Sequence, residues 1–264
     1  MFSKRVNEMI SLNGKTALIT GAAAGIGRAI ALRFAEAGSN LYLIDINAQN
    51  LTKLKKELEV FPVEIFTYVY DMASSENIAN LWSQIEKPPD ILVNNVGIYP
   101  PQDFKTIEDG LWQKVMDTNL NSTYRMSQKM INRRDILGGV IINISSIEAI
   151  LPFASDLVHY DVSKAGIAAL TRALAKEFGH KGFKINAIMP GGIDTPGTRA
   201  VADRIWRNLD FGLIPTGIKY QSRIPMGRRG QPDEVACIAL FLASELSSYV
   251  QGALIPADGG FLSS

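Results

Sequence analysis

Short apolar runs alternate with longer segments of helical periodicity along almost the whole chain, and this alternation restricts the possible folds more than any other feature. The apolar runs predict seven strands, at residues 16–20, 41–44, 63–69, 91–93, 140–144, 185–188 and 253–256. The periodic segments predict helices at residues 27–37, 50–59, 75–86, 107–131, 160–178 and 232–243. Because such units form right-handed βαβ crossovers, the chain is predicted to be a doubly wound α/β protein with a parallel sheet and helices on both faces.

The chain is predicted to form a single domain over residues 1–264. Its length suits one large domain, and neither a linker rich in proline, glycine or serine nor an internal repeat divides it. Residues 1–12 carry charges and lack the apolar core of a secretion signal, so they are expected to be a surface lead-in to the first strand. Residues 196–225 show no clear periodicity, and in a compact domain such a stretch favours a substrate lid.

Charge and composition argue against several classes of function. The 27 basic and 26 acidic side chains give a formal net charge of +1, so the chain has no overall attraction to nucleic acid or to an anionic membrane. One cysteine and two histidines are too few for a disulfide framework or for most zinc sites, and no metal is expected. The longest apolar stretch, residues 235–243, is about half of the roughly 20 residues that span a bilayer. We therefore expect a cytoplasmic protein that acts on a small molecule and binds neither nucleic acid nor membrane.

A glycine-rich turn follows the first predicted strand and leads directly into a helix. Gly21, Gly25 and Gly27 form the pattern G-x-x-x-G-x-G, with Ala24 and Ile26 between them. Glycines permit positive φ and a close approach of the backbone to a pyrophosphate, whose charge is stabilised at the helix N-terminus. The turn predicts dinucleotide binding, although its spacing departs from G-x-G-x-x-G and any tight strand-to-helix turn favours glycine.

An acidic residue at the end of the second predicted strand indicates the type of dinucleotide. Asp45 lies 18 residues after Gly27, close to the offset of about 20 at which a carboxylate meets the adenosine ribose. That carboxylate can accept hydrogen bonds from both ribose hydroxyls, and it would repel a 2′-phosphate. Neither Ala24 nor Ile46 supplies a cation to offset the repulsion, so NAD is predicted over NADP.

Two residues one helical turn apart predict acid–base chemistry. Tyr160 and Lys164 project from the same face of their predicted helix, and a simple surface contact is the alternative interpretation. A phenol has an ordinary pKa near 10, and a neighbouring ammonium stabilises the phenolate, so we expect Lys164 to lower the pKa of Tyr160. Ser145 and Ser146 directly follow the fifth predicted strand, where a serine could hold a substrate oxygen, and a turn or cap role is the alternative for Ser146.

Several motifs occur together in one order along the chain. They are Gly21-x-x-x-Gly25-x-Gly27, Asn94-Asn95-x-Gly97, Asn119, Ser146, Tyr160-x-x-x-Lys164, Pro190-Gly191 and Asp258-Gly259-Gly260. In this combination the chain resembles the short-chain dehydrogenase/reductase family, in its short single-domain branch, over residues 12–261. The resemblance implies a Rossmann-type seven-stranded sheet of order 3-2-1-4-5-6-7, hydride transfer between a nicotinamide and a hydroxyl or carbonyl carbon, and a homotetramer.

The resemblance also implies roles for individual residues. Tyr160 would be the general acid in carbonyl reduction and the general base in alcohol oxidation, and Ser146 would hydrogen-bond the reacting oxygen. Lys164 would also bind the nicotinamide ribose, and Asn119, at a local disturbance of its helix, would hold a water of the proton relay. The remaining cofactor contacts are implied for Asp71 at the adenine, for Asn95 and Gly97 on the adenosine side, and for Ile193 and Thr195, after Pro190-Gly191, at the nicotinamide carboxamide.

The chain departs from the family pattern at two places. Val96 stands where alanine is commoner, and Ser146 precedes Tyr160 by 14 residues where 13 is usual, so Ser145 is the less favoured substitute for Ser146. His159 adjoins Tyr160, but neighbouring side chains on a helix diverge by about 100°, so a packing or pocket-wall role is predicted for it. Cys237, within an apolar helical pattern, is predicted to be buried. The seven cations between residues 196 and 230 favour a solvated face or a subunit contact over an anionic substrate.

Three functions remain open at this point. The first is an NAD-dependent dehydrogenase of a sugar, a polyol or a secondary alcohol, because segments around Glu148, His159 and Asp258 are locally similar to bacterial glucose dehydrogenases. The second is a 3-oxoacyl-acyl-carrier-protein reductase, which Asp45 and Ala24 disfavour because those reductases mostly use NADPH. The third is a catalytically silent nucleotide-sensing scaffold, which has no need of a complete proton relay.

Overall fold

Seven parallel strands form one sheet in the computed structural model, which describes residues 4–199 and 220–264. The strands are β1 (Thr16–Thr20), β2 (Asn40–Asp45), β3 (Ile65–Val69), β4 (Ile91–Asn94), β5 (Gly139–Ile144), β6 (Phe183–Pro190) and β7 (Leu254–Ala257). Their order across the sheet is β3-β2-β1-β4-β5-β6-β7. The predicted fold class and strand order are therefore confirmed.

Helices connect the strands and cover both faces of the sheet. They are α1 (Val6–Ile10), α2 (Gly25–Glu36), α3 (Ala48–Leu58), α4 (Ser75–Gln84), α5 (Asp109–Met116), α6 (Ser122–Arg133), α7 (Val158–Phe178) and α8 (Pro232–Ala243). Local chemistry sets several of their starts: the side chain of Asn47 accepts a hydrogen bond from Asn50 N at α3, and that of Ser74 from Asn77 N at α4. The expected lead-in over residues 1–12 contains the exposed helix α1.

The sheet is buried on both sides because successive side chains of each strand join different clusters. In β1, Ala17 and Ile19 pack with Phe34 of α2 and Val235 of α8, while Leu18 packs on the opposite face with residues of α4 and α6. This burial on two faces explains why the strands read as continuous apolar runs. Within the described residues, no helix has the length and apolar character to cross a membrane.

Two local predictions differ from the structure. The single helix predicted over residues 107–131 is divided by a π-helical turn at Asp117–Asn121, which separates α5 from α6. One widened turn hardly changes the apolar periodicity, so the pattern could not reveal it. Cys237 is exposed, and its predicted burial is wrong because the buried side of α8 is formed by Val235, Ala236 and Ala239.

The sheet has a topological switch point between β1 and β4. Strand order runs outward from β1 to β3 on one side and from β4 to β7 on the other. In open α/β sheets, ligands bind in the crevice outside the carboxyl ends of the strands at such a point. The glycine-rich turn after β1 and the segment after β4 therefore border the expected site.

Candidate active site

A cleft of about 540 Å³ lies at this switch point and brings most of the predicted site residues together. Fourteen of them line it: Gly21, Ala24, Gly25, Ile26, Asp45, Asn95, Gly97, Ser146, Tyr160, Lys164, Pro190, Gly191, Ile193 and Thr195. They come from α2 and α7 and from the segments at the carboxyl ends of β1, β2, β4, β5 and β6. Three predicted residues, Gly27, Asp71 and Asn119, do not line the cleft.

The glycine-rich turn is held in shape by the segment that follows β4. The side-chain amide of Asn95 donates to the carbonyl oxygens of Thr20 and Gly21, at 2.9 and 3.0 Å. Gly21 and Gly25 have positive φ values of 64° and 55°, which favour glycine. A Cβ at Gly27 would overlap the carbonyl oxygen of Gly21, so this third glycine serves close packing below the cleft. Asn95 thus supports the turn as well as lining the cleft.

The start of α2 suits a bound anion. Gly25 is its first residue, and Ala24 before it offers no side-chain cap to the first backbone amides. Since Ala24, Gly25 and Ile26 line the cleft, these amides and the positive end of the helix dipole border it. This end of the cleft therefore fits the pyrophosphate of a dinucleotide.

Asp45 is fixed at the same end of the cleft. Its Oδ2 accepts a hydrogen bond from Ala23 N, and its Oδ1 accepts one from Asn47 N, both at 2.9 Å. The carboxylate is thereby tied to the glycine-rich turn and still lines the cleft. Asp71, by contrast, is exposed after β3, and its Oδ1 accepts a hydrogen bond from Ala73 N in its own turn. Its adenine contact stays a prediction.

Ser146 and Tyr160 meet at the opposite end of the cleft. The Ser146 side chain interacts with the Tyr160 hydroxyl, and Ser146 Oγ accepts a hydrogen bond from Glu148 N at 3.2 Å. Ser145 also lines the cleft, but its Oγ donates to the backbone carbonyl of Lys164 at 2.9 Å. The structure therefore places Ser146, and not its substitute Ser145, beside the tyrosine hydroxyl.

The pKa of Tyr160 differs in direction from the sequence-based expectation. Burial of the phenol raises its pKa, and the interaction with Ser146 lowers it. Lys164 is also buried, with Nζ 5.6 Å from the centre of the tyrosine ring, and burial lowers its pKa to about 8. Desolvation disfavours both the phenolate of Tyr160 and the ammonium of Lys164. Tyr160 is therefore kept protonated and can donate a proton.

The buried Lys164 leads to a pH-dependent stability that can be measured. Its ammonium donates to the carbonyl oxygen of Ile144 at 2.8 Å. Between about pH 8 and pH 10 the unfolded lysine still binds a proton that the folded lysine has lost, so stability should rise with pH. We expect this rise in the free energy of unfolding to be smaller in Lys164→Met, as measured by urea denaturation across the window. Lys184, whose pKa is also about 8, is present in both proteins and cancels in the comparison; parallel curves would contradict the expectation.

Asn119 is buried in the π-helical turn and connects three parts of the site. Its Oδ1 accepts from Ile98 N at 2.8 Å, and its Nδ2 donates to Ile98 O and to Ser163 Oγ, both at 2.9 Å. The disturbance of the helix that the family resemblance implied is therefore present. A Cβ at Gly97 would lie 3.3 Å from Lys164 Nζ and 3.4 Å from Asn119 Oδ1, so both groups border the same glycine. The proton-relay role of Asn119 stays a prediction.

Three further residues of the cleft lie in segments expected to shape the pocket but were assigned no individual role from the sequence. Tyr99 lies edge-on to Tyr160, with ring centres 5.7 Å apart, and hydrogen-bonds Thr195 across the cleft. Tyr220 hydrogen-bonds the backbone at Gly192 and stacks on Phe261 at 4.7 Å. Glu148 is buried but lines the cleft. Tyr99 and Glu148 follow predicted strands by a few residues, and this position in the sequence could have indicated that they lie at the cleft. Tyr220 carries no such signal, because only packing against residues distant in the sequence places it there.

Other predictions about this region have mixed outcomes. His159 is fully buried and does not line the cleft, and its Nε2 lies 2.8 Å from the carbonyl oxygen of Pro100. This placement agrees with a packing role and not with a place in the pocket wall. Of the seven cations between residues 196 and 230, Arg199 forms a salt bridge with Asp194, and Arg228 forms one with Glu234. Residues 200–219 of the predicted lid, 196–225, lie outside the described residues. Within the described ranges, no cluster of three or more histidine, cysteine or acidic side chains could hold a metal ion.

Comparisons with known proteins agree with this geometry. A family model described as "Enoyl-(Acyl carrier protein) reductase" matches residues 21–262. A 3-oxoacyl-acyl-carrier-protein reductase of Thermotoga maritima is 36% identical, over 95% of this chain and 99% of its own. A 2-dehydro-3-deoxy-D-gluconate 5-dehydrogenase of Bacillus subtilis is also 36% identical, over 98% of both chains.

A solved structure extends the likeness to the fold. It is from Beutenbergia cavernae, is provisionally assigned as an NAD(P)-dependent gluconate 5-dehydrogenase, and was solved with bound NADP at low occupancy. It superposes with a TM-score of 0.88 at 32% identity and covers 97% of this chain and all of its own. With the sheet order and the cleft, these matches show that the chain belongs to the short-chain dehydrogenase/reductase family, whose members are NAD(P)-dependent oxidoreductases acting on CH–OH or carbonyl groups.

Proposed function

We propose that the protein is an NAD-dependent dehydrogenase that transfers hydride between the nicotinamide and a hydroxyl-bearing carbon of a sugar, a polyol or a secondary alcohol. The observation that carries the proposal is the placement of Tyr160 beside Ser146 in a cleft whose other end holds the glycine-rich turn and Asp45. Lys164, buried beside the tyrosine ring, completes the acid–base group. A silent nucleotide sensor would need only the turn and the aspartate.

The residues of the cleft divide the work by position. The cofactor, when bound, supplies or accepts the hydride. Its pyrophosphate would lie on the turn from Gly21 to Gly27, its ribose against Asp45, and its carboxamide near Ile193 and Thr195. Asp71, Asn95 and Gly97 would contact the adenosine half, and Pro190 and Gly191 would border the nicotinamide.

Proton transfer falls to the opposite end of the cleft. Ser146 would hold the substrate oxygen, and Tyr160 would give that oxygen its proton in reduction or take it in oxidation. When the phenolate forms, the ammonium of Lys164 would stabilise it, because a charge in a buried site interacts strongly with a neighbouring opposite charge. Asn119 would keep Ile98 and Ser163 in place around this group.

The cofactor preference rests on Asp45. Its carboxylate is positioned by two backbone amides, and neither Ala24 nor Ile46, which also line the cleft, is a cation. The Beutenbergia cavernae relative was solved with NADP, so the preference is a property to be tested in this chain. We expect kcat/KM with NAD to exceed that with NADP by at least about tenfold, which corresponds to about 1.4 kcal/mol.

A charge-neutral variant tests the origin of that preference. Asp45→Asn keeps the shape of the side chain but removes the repulsion of a 2′-phosphate, so the ratio of kcat/KM for NAD over NADP should fall by about tenfold. Asp71→Asn is the matched control, because adenine is common to both cofactors and the ratio should not move. A ratio that is the same in Asp45→Asn and in the native protein would remove Asp45 from the explanation.

The second candidate function is 3-oxoacyl-acyl-carrier-protein reduction, which the name of the Thermotoga maritima relative favours. Absorbance at 340 nm separates the candidates, with NAD and NADP offered alongside sugars, polyols and secondary alcohols, and NADH and NADPH alongside 3-oxoacyl thioesters. Oxidation of a sugar or an alcohol with NAD supports the first candidate. Reduction of a thioester with NADPH would replace it by the second.

Assembly and location stay predictions. The homotetramer follows from the family resemblance, and light scattering on the purified protein should give about four times the chain mass of 28.9 kDa. The cytoplasmic location follows from the composition.

A further inference from the structure

We propose that Glu148 determines substrate specificity, by selecting neutral polyhydroxylated substrates and disfavouring those that carry a carboxylate. The proposal rests on the dehydrogenase function proposed above and narrows its substrate class. Glu148 lies two positions after Ser146, and the proton transfer proposed above does not involve it.

The carboxylate of Glu148 is held in place at the reacting end of the cleft. The residue is only 8% exposed, yet it lines the cleft together with Ser146 and Tyr160. Its Oε2 accepts a hydrogen bond from Phe153 N at 2.8 Å, and the backbone of Ala154 lies near the same carboxylate. A carboxylate offers about four acceptor positions, so these backbone contacts leave capacity for substrate hydroxyls.

Among residues 4–199 and 220–264, which the structure describes, no cationic side chain of the cleft wall is paired with this carboxylate. Among the described residues that line the cleft, the side chains that ordinarily carry a full charge are Asp45, Glu148 and Lys164. Asp45 lies at the glycine-rich turn, and the ammonium of Lys164 donates to the carbonyl oxygen of Ile144. Arg223 lies over the ring of Phe261 and donates to the backbone carbonyl of Ser264. Arg229 is exposed and does not line the cleft, but its positive charge acts on Tyr99 and Tyr220 from outside the lining. Arg204, Arg207 and Lys219 of the predicted lid lie outside the described residues.

The groups beside Glu148 suit a polyol. Tyr99, Tyr160 and Tyr220 present aromatic surface and hydroxyls to the same end of the cleft. A chain of hydroxyl-bearing carbons can place its C–H groups against such rings while its hydroxyls donate to the carboxylate, and hydrogen bonds to a charged acceptor are the stronger kind. A substrate carboxylate in the same position would meet a like charge in a partly desolvated site.

The test compares matched neutral and acidic compounds as substrates of the native protein with NAD. The panel pairs sugars and polyols with the sugar acids of the same carbon number, for example D-glucitol with D-gluconate, at alkaline pH. We expect the best neutral compound to have at least about tenfold higher kcat/KM than its acid. In Glu148→Gln, which has nearly the same shape without the charge, this ratio should fall by about tenfold.

Asp161→Asn is the matched control for a long-range effect of charge. Asp161 lies close enough to Tyr160 to influence it but does not line the cleft, so its substitution should leave the neutral-to-acid ratio within about twofold of the native value. A native preference for the acids would overturn the inference. The inference would also be overturned if Glu148→Gln left the ratio unchanged and the variant kept the native melting temperature and NAD affinity.

Failure of the proposed function gives a different result. If NAD binds but no compound is turned over, the dehydrogenase function is wrong. Calorimetry then compares the affinities of the neutral and the acidic compounds for the protein–NADH complex. Tighter binding of the neutral compounds that is lost in Glu148→Gln would still support the role of Glu148. Equal or tighter binding of the acids, or no binding of any neutral compound, would refute it.

Discussion

Replacement of Tyr160 by phenylalanine is expected to lower kcat by at least about a hundredfold, while NAD affinity changes by no more than about twofold. The substitution removes the hydroxyl that lies beside Ser146 and leaves the ring that packs against Tyr99. Positioned proton transfer typically contributes a factor of 10² to 10⁴, so the loss should appear in turnover and not in cofactor binding. Steady-state kinetics and titration of protein fluorescence with NADH measure the two quantities separately.

Tyr99→Phe is the control for this experiment. Tyr99 lines the same cleft and has its ring centre 5.7 Å from that of Tyr160, but its hydroxyl bonds Thr195 and not Ser146. Its loss should cost much less turnover than the loss of the Tyr160 hydroxyl. If Tyr160→Phe kept native turnover, the proposed mechanism would be wrong whatever substrate the protein uses.

Gly27→Ala is expected to abolish measurable NAD binding and to destabilise the protein by about 2 kcal/mol. A Cβ at this position would overlap the carbonyl oxygen of Gly21 and lie 2.5 Å from Asn95 Nδ2. The first of these groups is backbone, and the second is a side-chain amide held by its hydrogen bonds to Thr20 and Gly21, so neither moves aside without cost, and overpacking typically costs about 1–3 kcal/mol. The turn must therefore shift, and the amides that border the cleft shift with it.

Gly110→Ala provides the comparison for this change. Gly110 lies in α5, and a Cβ there would meet nothing within 4 Å. Alanine in a helix is favoured over glycine by about 0.5–1 kcal/mol, so this variant should be as stable as the native protein or more stable. Melting curves with and without NADH report both quantities; native NADH stabilisation in Gly27→Ala would show that the turn does not hold the cofactor.

Local sequence features were sufficient to predict the fold and most of the site. Alternation of apolar runs with helical periodicity is a property of neighbouring residues, so it predicted seven strands and their connections. The family motifs then gave the strand order. The pairing of Tyr160 with Lys164 follows from helical spacing, and the positions of the turn, Asp45 and Ser146 follow from the ends of parallel strands, which meet at one edge of a sheet.

Tertiary structure decided the properties that depend on burial and on distant contacts. The direction of the Tyr160 pKa shift reflects desolvation, which the spacing of a lysine four residues away cannot reveal. The π-helical turn that directs Asn119 toward Ile98 and Ser163 leaves almost no trace in the periodicity. Glu148 lines the reacting end of the cleft because the chain bends back at Phe153 and Ala154 to hold its carboxylate. The sequence by itself therefore determined the reaction class, whereas the electrostatic character of the substrate end comes from residues that only the folded chain brings together.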